Sequence, residues 1–248
     1  MGSFVITLRE GFEATLIVGI ILAALSKLGY RDQHERTVWL GVGAAIAFSL
    51  TIGGILFGTV GELEGNSEAT YEATAMIIAA GVVTWMVFWM RKQAATIGAH
   101  LRQQVTDSVF AGGGLALAAV AFIGVAREGI ETALFLFAST GESGPVVAVS
   151  GAVLGLVAAV GLGVLFYRGT LRLNLSQFFK VTSILVIAFA AYLLYSGVHE
   201  LGELVENEAL ELAAPLAALA YGAGFAVLYV RDARRPRPAQ AASEQASA

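Results

Sequence analysis

The 248-residue chain is 57% hydrophobic and 14% charged, with a mean hydropathy of +0.74 and a formal net charge of −4. A soluble domain carries about 25% charged residues, so this balance excludes an ordinary globular enzyme and points to an all-α integral membrane protein. The absence of cysteine removes disulfides, thiolate metal sites, iron–sulfur clusters and cysteine nucleophiles from consideration.

Seven apolar stretches follow in chain order, approximately Phe4–Leu25, Val38–Val60, Tyr71–Met90, Phe110–Ala138, Val146–Tyr167, Phe178–Val198 and Leu210–Val230. Each reaches the ~20 residues needed to cross ~30 Å of hydrocarbon at 1.5 Å per residue. The fourth is too long for a straight span and is expected to be tilted, broken or preceded by a short interfacial turn. The first is not a cleavable signal, because it lacks a basic leader and Arg9, Glu10 and Glu13 interrupt its core. Residues 1–230 thus read as one seven-span domain. Residues 231–248, ending in Ala, Ser, Gln and Pro, read as a disordered tail.

The cations fix an orientation. Lys27, Arg31 and Arg36 follow span 1; Arg91, Lys92 and Arg102 follow span 3. Arg168, Arg172 and Lys180 follow span 5, and Arg231, Arg234, Arg235 and Arg237 follow span 7. With Arg9 and Arg127 these are all fifteen Lys and Arg residues, and the loops after spans 2, 4 and 6 hold none. The positive-inside rule therefore puts the N-terminus outside and the C-terminus in the cytoplasm. The outer loops carry ten carboxylates: Glu62, Glu64, Glu68, Glu72, Glu142, Glu200, Glu203, Glu206, Glu208 and Glu211. Such a surface concentrates cations, although acidic loops also serve solubility alone. Glu72 and Glu200, within a turn of apolar spans, are the better ligand candidates among them. Trp85 and Trp89, next to Arg91 and Lys92, read as an anchor at the inner interface.

One charged pentapeptide occurs twice inside apolar sequence, as Arg9-Glu10-Gly11-Phe12-Glu13 and Arg127-Glu128-Gly129-Ile130-Glu131. A charge at the centre of a span costs about 2.5–3.5 kcal/mol on insertion scales, so six in two matched sets point to a site. On a helix Arg9, Glu10 and Glu13 share one narrow face while Gly11 points away, and Arg127, Glu128 and Glu131 repeat this. In each copy the arginine balances one carboxylate. Two facing copies offer four carboxylates and a net charge near −2, an arrangement that calls for a cation. Oxygen-only ligation suits a hard metal ion and makes Cu(I) a poor candidate. The competing reading is a pair of ion pairs that only tie spans 1 and 4 together; the surplus carboxylate in each copy weighs against it. His199 beside Glu200 is as compatible with solvation as with ligation, and His34 and His100 carry no signal.

The copies lie 118 residues and three spans apart, so spans 1–3 and 4–6 cross in opposite senses, the signature of an inverted-topology repeat with span 7 added. Arg9 nevertheless lies near the outer end of span 1, whereas Arg127 is deep in span 4. Small residues recur every four positions at Gly11, Thr15, Gly19 and Ala23; at Gly41, Ala45, Ser49 and Gly53; at Gly151, Gly155, Ala159 and Gly163; and at Ala214, Ala218, Gly222 and Ala226. Such stripes let membrane helices approach closely, within the monomer or in an oligomer.

Paired Arg-Glu-Gly-x-Glu motifs in spans 1 and 4 of a seven-span protein resemble the iron/lead transporter family, the high-affinity oxidase-dependent iron permeases. The stretch Thr84-Trp85-Met86-Val87-Phe88-Trp89-Met90-Arg91-Lys92 is similar to bacterial members. The resemblance, over residues 3–230, implies iron uptake across the plasma membrane, with Glu10, Glu13, Glu128 and Glu131 binding iron in passage. It also implies an extracytoplasmic ferroxidase or iron-delivery partner. The fungal members' further acidic iron-trafficking signature is not evident. Iron would be the transported substrate, no tightly bound cofactor is expected, and nothing suggests nucleic acid or an enzyme; an ATP-binding loop is absent from the sequence. The alternatives are a transporter of Mn²⁺, Pb²⁺ or H⁺ through the same carboxylates, and a membrane di-iron oxidase. The oxidase would want Glu-x-x-His pairs, which neither motif provides.

Overall fold

The computed structural model describes residues 2–60, 66–93, 97–169 and 174–233, and these are helical apart from short turns. The helices are α1 (Gly2–Leu28), α2 (Arg31–Val60), α3 (Asn66–Gln93), α4 (Ile97–Asp107), α5 (Gly113–Ser143), α6 (Pro145–Tyr167), α7 (Leu175–Leu204) and α8 (Glu208–Ala233). All but α4 are long and apolar enough to cross a membrane, so the protein is an all-α, seven-span membrane protein. Of the expected tail, residues 234–248 lie outside the described residues, as do Glu62 and Glu64 of the acidic loop after α2.

The overlong fourth stretch resolves into two parts. Phe110 lies in a π-helical turn, Ser108–Gly112, and the span itself begins at Gly113, whose φ of 65° breaks the helix direction. At the other end Gly144, with φ 72°, turns the chain straight into α6, where Pro145 occupies the first helical position. Ahead of the turn, α4 buries Leu101 and Val105 and exposes Arg102, Gln103 and Gln104. This short amphipathic helix packs on α1. The seven-stretch reading missed it because a 20-residue hydropathy window averages it away.

Burial makes α1 the central helix. Half of its apolar window is buried inside the protein, against 17% for both α2 and α6. The small-residue stripes decide how it packs. Gly155 of α6 lies on the Phe4 carbonyl and Leu8 amide of α1, Ala159 on Gly11, and Gly163 on Thr15. The stripes expected on spans 1 and 5 thus face each other, with α1 and α6 running in the same direction. The stripe of α2 meets α5 in the same manner: Gly41 lies on the Ala118 backbone, Ser49 on Gly129 and Gly53 on Ala133. With no side chain at these glycines, dispersion contacts with the facing backbone and small side chains hold the pairs together. The fourth stripe behaves differently. Along α8, Ala214 is buried but Gly222 has no neighbour within 4 Å of where a Cβ would stand, and Ala226 is exposed. Helices α3, α7 and α8 form the rest of the bundle; Gly197 of α7 sits against the Ala73 carbonyl of α3, and Phe88 meets Phe225 of α8.

A candidate cation site between the two charged motifs

Helices α1 and α5 lie side by side and run in opposite directions. Ser3 and Ser139 hydroxyls are 3.0 Å apart at one end, and Ile17 packs on Gly124 fourteen residues along α1. The paired numbers sum to 142 and 141, a constant register over about 20 Å at 1.5 Å per residue. Glu10 pairs with Glu131 and Glu13 with Glu128 in that register. The apparent mismatch in depth is therefore resolved: the two motifs stand level, with Arg9 and Arg127 at opposite ends of the shared zone.

Within each motif the expected helix-face geometry holds. Arg9 Nε donates to Glu13 Oε1 at 3.1 Å and stands 3.9 Å from Glu10 Oε1. Arg127 Nε donates to Glu131 Oε1 at 2.9 Å and stands 3.8 Å from Glu128 Oε1. Each arginine thus holds the carboxylate four residues on and leaves the adjacent one largely free. Gly11 and Gly129 point the other way, into α6 and α2, so each charged helix packs tightly on its neighbour at the motif glycine.

Between the motifs, Glu10, Glu128 and Glu131 each offer a carboxylate oxygen, and these oxygens lie within 4.8 Å of one another. Cation–oxygen distances of about 2.0–2.6 Å place ligands on opposite sides of an ion up to ~5 Å apart, so the group is the right size. Both oxygens of Glu10, with Oε2 of Glu128 and of Glu131, are buried and lack a hydrogen-bond partner. Buried, unpartnered carboxylate oxygens are costly. A cation among them would supply the missing partners. Glu13 stands outside this trio and is held by Arg9.

The other sequence candidates lie elsewhere. Glu72 and Glu200 are half-buried, each within a turn of the contact between Gly197 and Ala73, and belong to a different part of the bundle. His199 stacks on Tyr195 and stands 3.6 Å from Glu203. Trp89 corrects the sequence reading. Trp85 is largely exposed, as a lipid-facing anchor should be, but the Trp89 ring lies under Arg127, its centroid 3.9 Å from the guanidinium carbon. Nothing in the linear spacing of Trp89 and Arg127 announces that contact, which depends on the packing of α3 on α5.

Relatives are informative at this point. The ferrous iron permease EfeU of Escherichia coli O6:H1 (strain CFT073) is 39% identical over 204 residues, covering 80% of this chain and 74% of its own length. The ferrous iron permease EfeU of Yersinia pestis is 37% identical over 204 residues, covering 80% of this chain and 72% of its own. No solved structure matches. The iron permease FTR1 family matches residues 1–214, from α1 through most of the helical bundle into α8, and the chain belongs to that family.

Proposed function

We propose that the protein is a plasma-membrane permease that carries iron ions inward through the carboxylates between α1 and α5. The observation that carries this reading is the buried trio Glu10, Glu128 and Glu131, with four orphaned oxygens and a size suited to one cation. Four motif glutamates against two motif arginines leave a charge near −2, which a divalent ion neutralises. Arg9 and Arg127 act as charge-balancing clamps: a guanidinium has no acceptor and cannot ligate a metal. Glu13 serves as the reserve ligand, released when Arg9 shifts. Iron is the transported substrate, no tightly bound cofactor takes part, and the protein catalyses no reaction of its own.

The N-terminus faces outward and the C-terminus the cytoplasm, as the cation distribution dictates. Spans α1–α3 and α5–α7 form an inverted repeat. What supports this is the equivalence of contacts: Gly11 on Ala159 becomes Gly129 on Ser49, and Thr15 on Gly163 becomes Ala133 on Gly53, under one shift per helix. Iron arrives from an extracytoplasmic delivery or ferroxidase partner at the acidic outer face, where Glu72 and Glu200 form an outer station before the trio. The seven spans seat the chain in the bilayer.

The test is radio-iron uptake into proteoliposomes, with Fe²⁺ and Fe³⁺ offered separately, pH gradients imposed, and Mn²⁺ and Pb²⁺ as competitors. Glu10→Gln, Glu13→Gln, Glu128→Gln and Glu131→Gln keep shape and remove charge, so each should express and lose uptake. Normal uptake in any two of the four rules out the site. Proton or Mn²⁺ flux in preference to iron would transfer the same site to another cation.

A further inference from the structure

The two clamps are not alike. Arg9 is sealed, its side chain 2% exposed, whereas that of Arg127 is 30% exposed. Arg127 is also shared. Its Nε holds Glu131 and approaches Glu128, while its guanidinium plane lies over the face of Trp89. Trp89 sits near the end of α3 that leads into α4, at the end of the bundle where the loop cations gather. Trp89 stands two and three residues before Arg91 and Lys92 in sequence, at that same end.

A cation entering the trio must take over carboxylates that Arg127 now holds. The displaced guanidinium would otherwise be an unpaired charge in an apolar setting, which resists the exchange. An aromatic face 3.9 Å away offers it a partner that does not compete for the metal. We propose that Trp89 is a positioning residue for iron binding: its ring is the seat on which Arg127 rests when Glu128 and Glu131 turn to the ion, on the side from which the ion leaves. The proposal rests on the carboxylate trio being the transport site. Trp89 acts through Arg127 and does not touch the ion.

Removing the ring takes away a contact that stays with Arg127 once the ion has the carboxylates and is worth most there, so the displaced guanidinium costs more and the ion competes less well. The experiment uses the full chain, with Fe²⁺ binding by equilibrium dialysis in detergent and initial uptake rates in proteoliposomes. Trp89→Leu should raise both the dissociation constant and the half-saturating concentration about 2- to 30-fold, the range of a cation–π contact, with maximal rate changed by less than about twofold. Trp89→Phe, which keeps a ring face, should recover most of the affinity; if the leucine variant does not fold, Trp89→Met replaces it as the ringless side chain. Unchanged affinity in the ringless variant overturns the proposal. So does a phenylalanine variant that behaves like the ringless one. Glu128→Gln and Glu131→Gln in the same assays separate the two ideas. If they lose binding while Trp89→Leu keeps it, the seat alone is wrong; if they bind normally, the trio and the seat fall together.

Discussion

Everything at the site depends on α1 and α5 keeping one antiparallel register, and the Ser3–Ser139 contact allows that register to be trapped. Their hydroxyl oxygens are 3.0 Å apart, so cysteines at these positions need to close by about 1 Å to reach an S–S bond of ~2.05 Å. The chain has no cysteine of its own, so Ser3→Cys with Ser139→Cys introduces the only two thiols. The bridge would close a loop of 136 residues, and the chain-entropy relation gives about 5 kcal/mol of stabilisation for that length if the native geometry is undisturbed. With a protease site inserted after Gln93, oxidised and cleaved protein should migrate as one species without reductant and as two fragments with it. The thermal midpoint should rise by several degrees on oxidation. Ser3→Cys with Thr132→Cys is the control, because Thr132 lies seven residues back along α5, about 10 Å away. A bridge forming as readily in the control, or only between separate molecules in the test pair, would refute the register and with it the level motifs.

Other consequences follow from the same geometry. Gly155→Ala would put a methyl 2.6 Å from the Phe4 carbonyl oxygen and should lower stability by about 1–3 kcal/mol, while Gly161→Ala meets nothing within 4 Å and should be neutral; melting in detergent compares them. Arg9→Lys and Arg127→Lys should each cut iron uptake about tenfold or more, since an ammonium cannot replace the planar Nε contact to the glutamate four residues on. Wild-type transport in both would reduce the clamp to charge balance. Neutralising Glu62, Glu64, Glu203, Glu206 and Glu208 together should weaken half-saturation at low salt and converge with wild type near 1 M, where the Debye length falls to ~3 Å. A loss of maximal rate that persists in high salt would instead put one of these residues in the ion path.

The spans and the motifs were legible because the bilayer makes both conspicuous: twenty apolar residues are needed to cross, and a charge among them is expensive. The stripes were legible too, since i, i+4 spacing on a helix is a statement about one face. What the chain could not announce was which stripe meets which. That depends on a parallel pairing of α1 with α6 and of α2 with α5, over sequence distances of 77 residues or more. The level of the motifs was hidden for a related reason: it is set by Ser3 against Ser139 and Ile17 against Gly124, partners far apart in sequence. Glu10 and Glu13 looked equivalent on the helical wheel. Only the position of α5 separates Glu10, which joins Glu128 and Glu131, from Glu13, which Arg9 retains. Trp89 reads as an interface anchor because aromatic rings next to cations usually are, and one residue can stand at the interface and still turn its ring inward.

The crossed pairing of helices also has a consequence for synthesis. The first helix to emerge, α1, carries three charges inside its apolar stretch, besides Lys27 in its last turn, and its close partner α6 ends only at Tyr167, about 140 residues later. At 5–20 residues per second the interval is roughly 7–30 s. For most of that time Arg9, Glu10 and Glu13 lack α5 to level them, and for all of it α1 lacks a finished α6 to press on Gly11. Neither half of the molecule can complete its packing before the other arrives, so nascent α1 stays an unfinished helix until α6 is made. The order of translation, and not only the final fold, therefore shapes which substitutions in α1 the cell can tolerate.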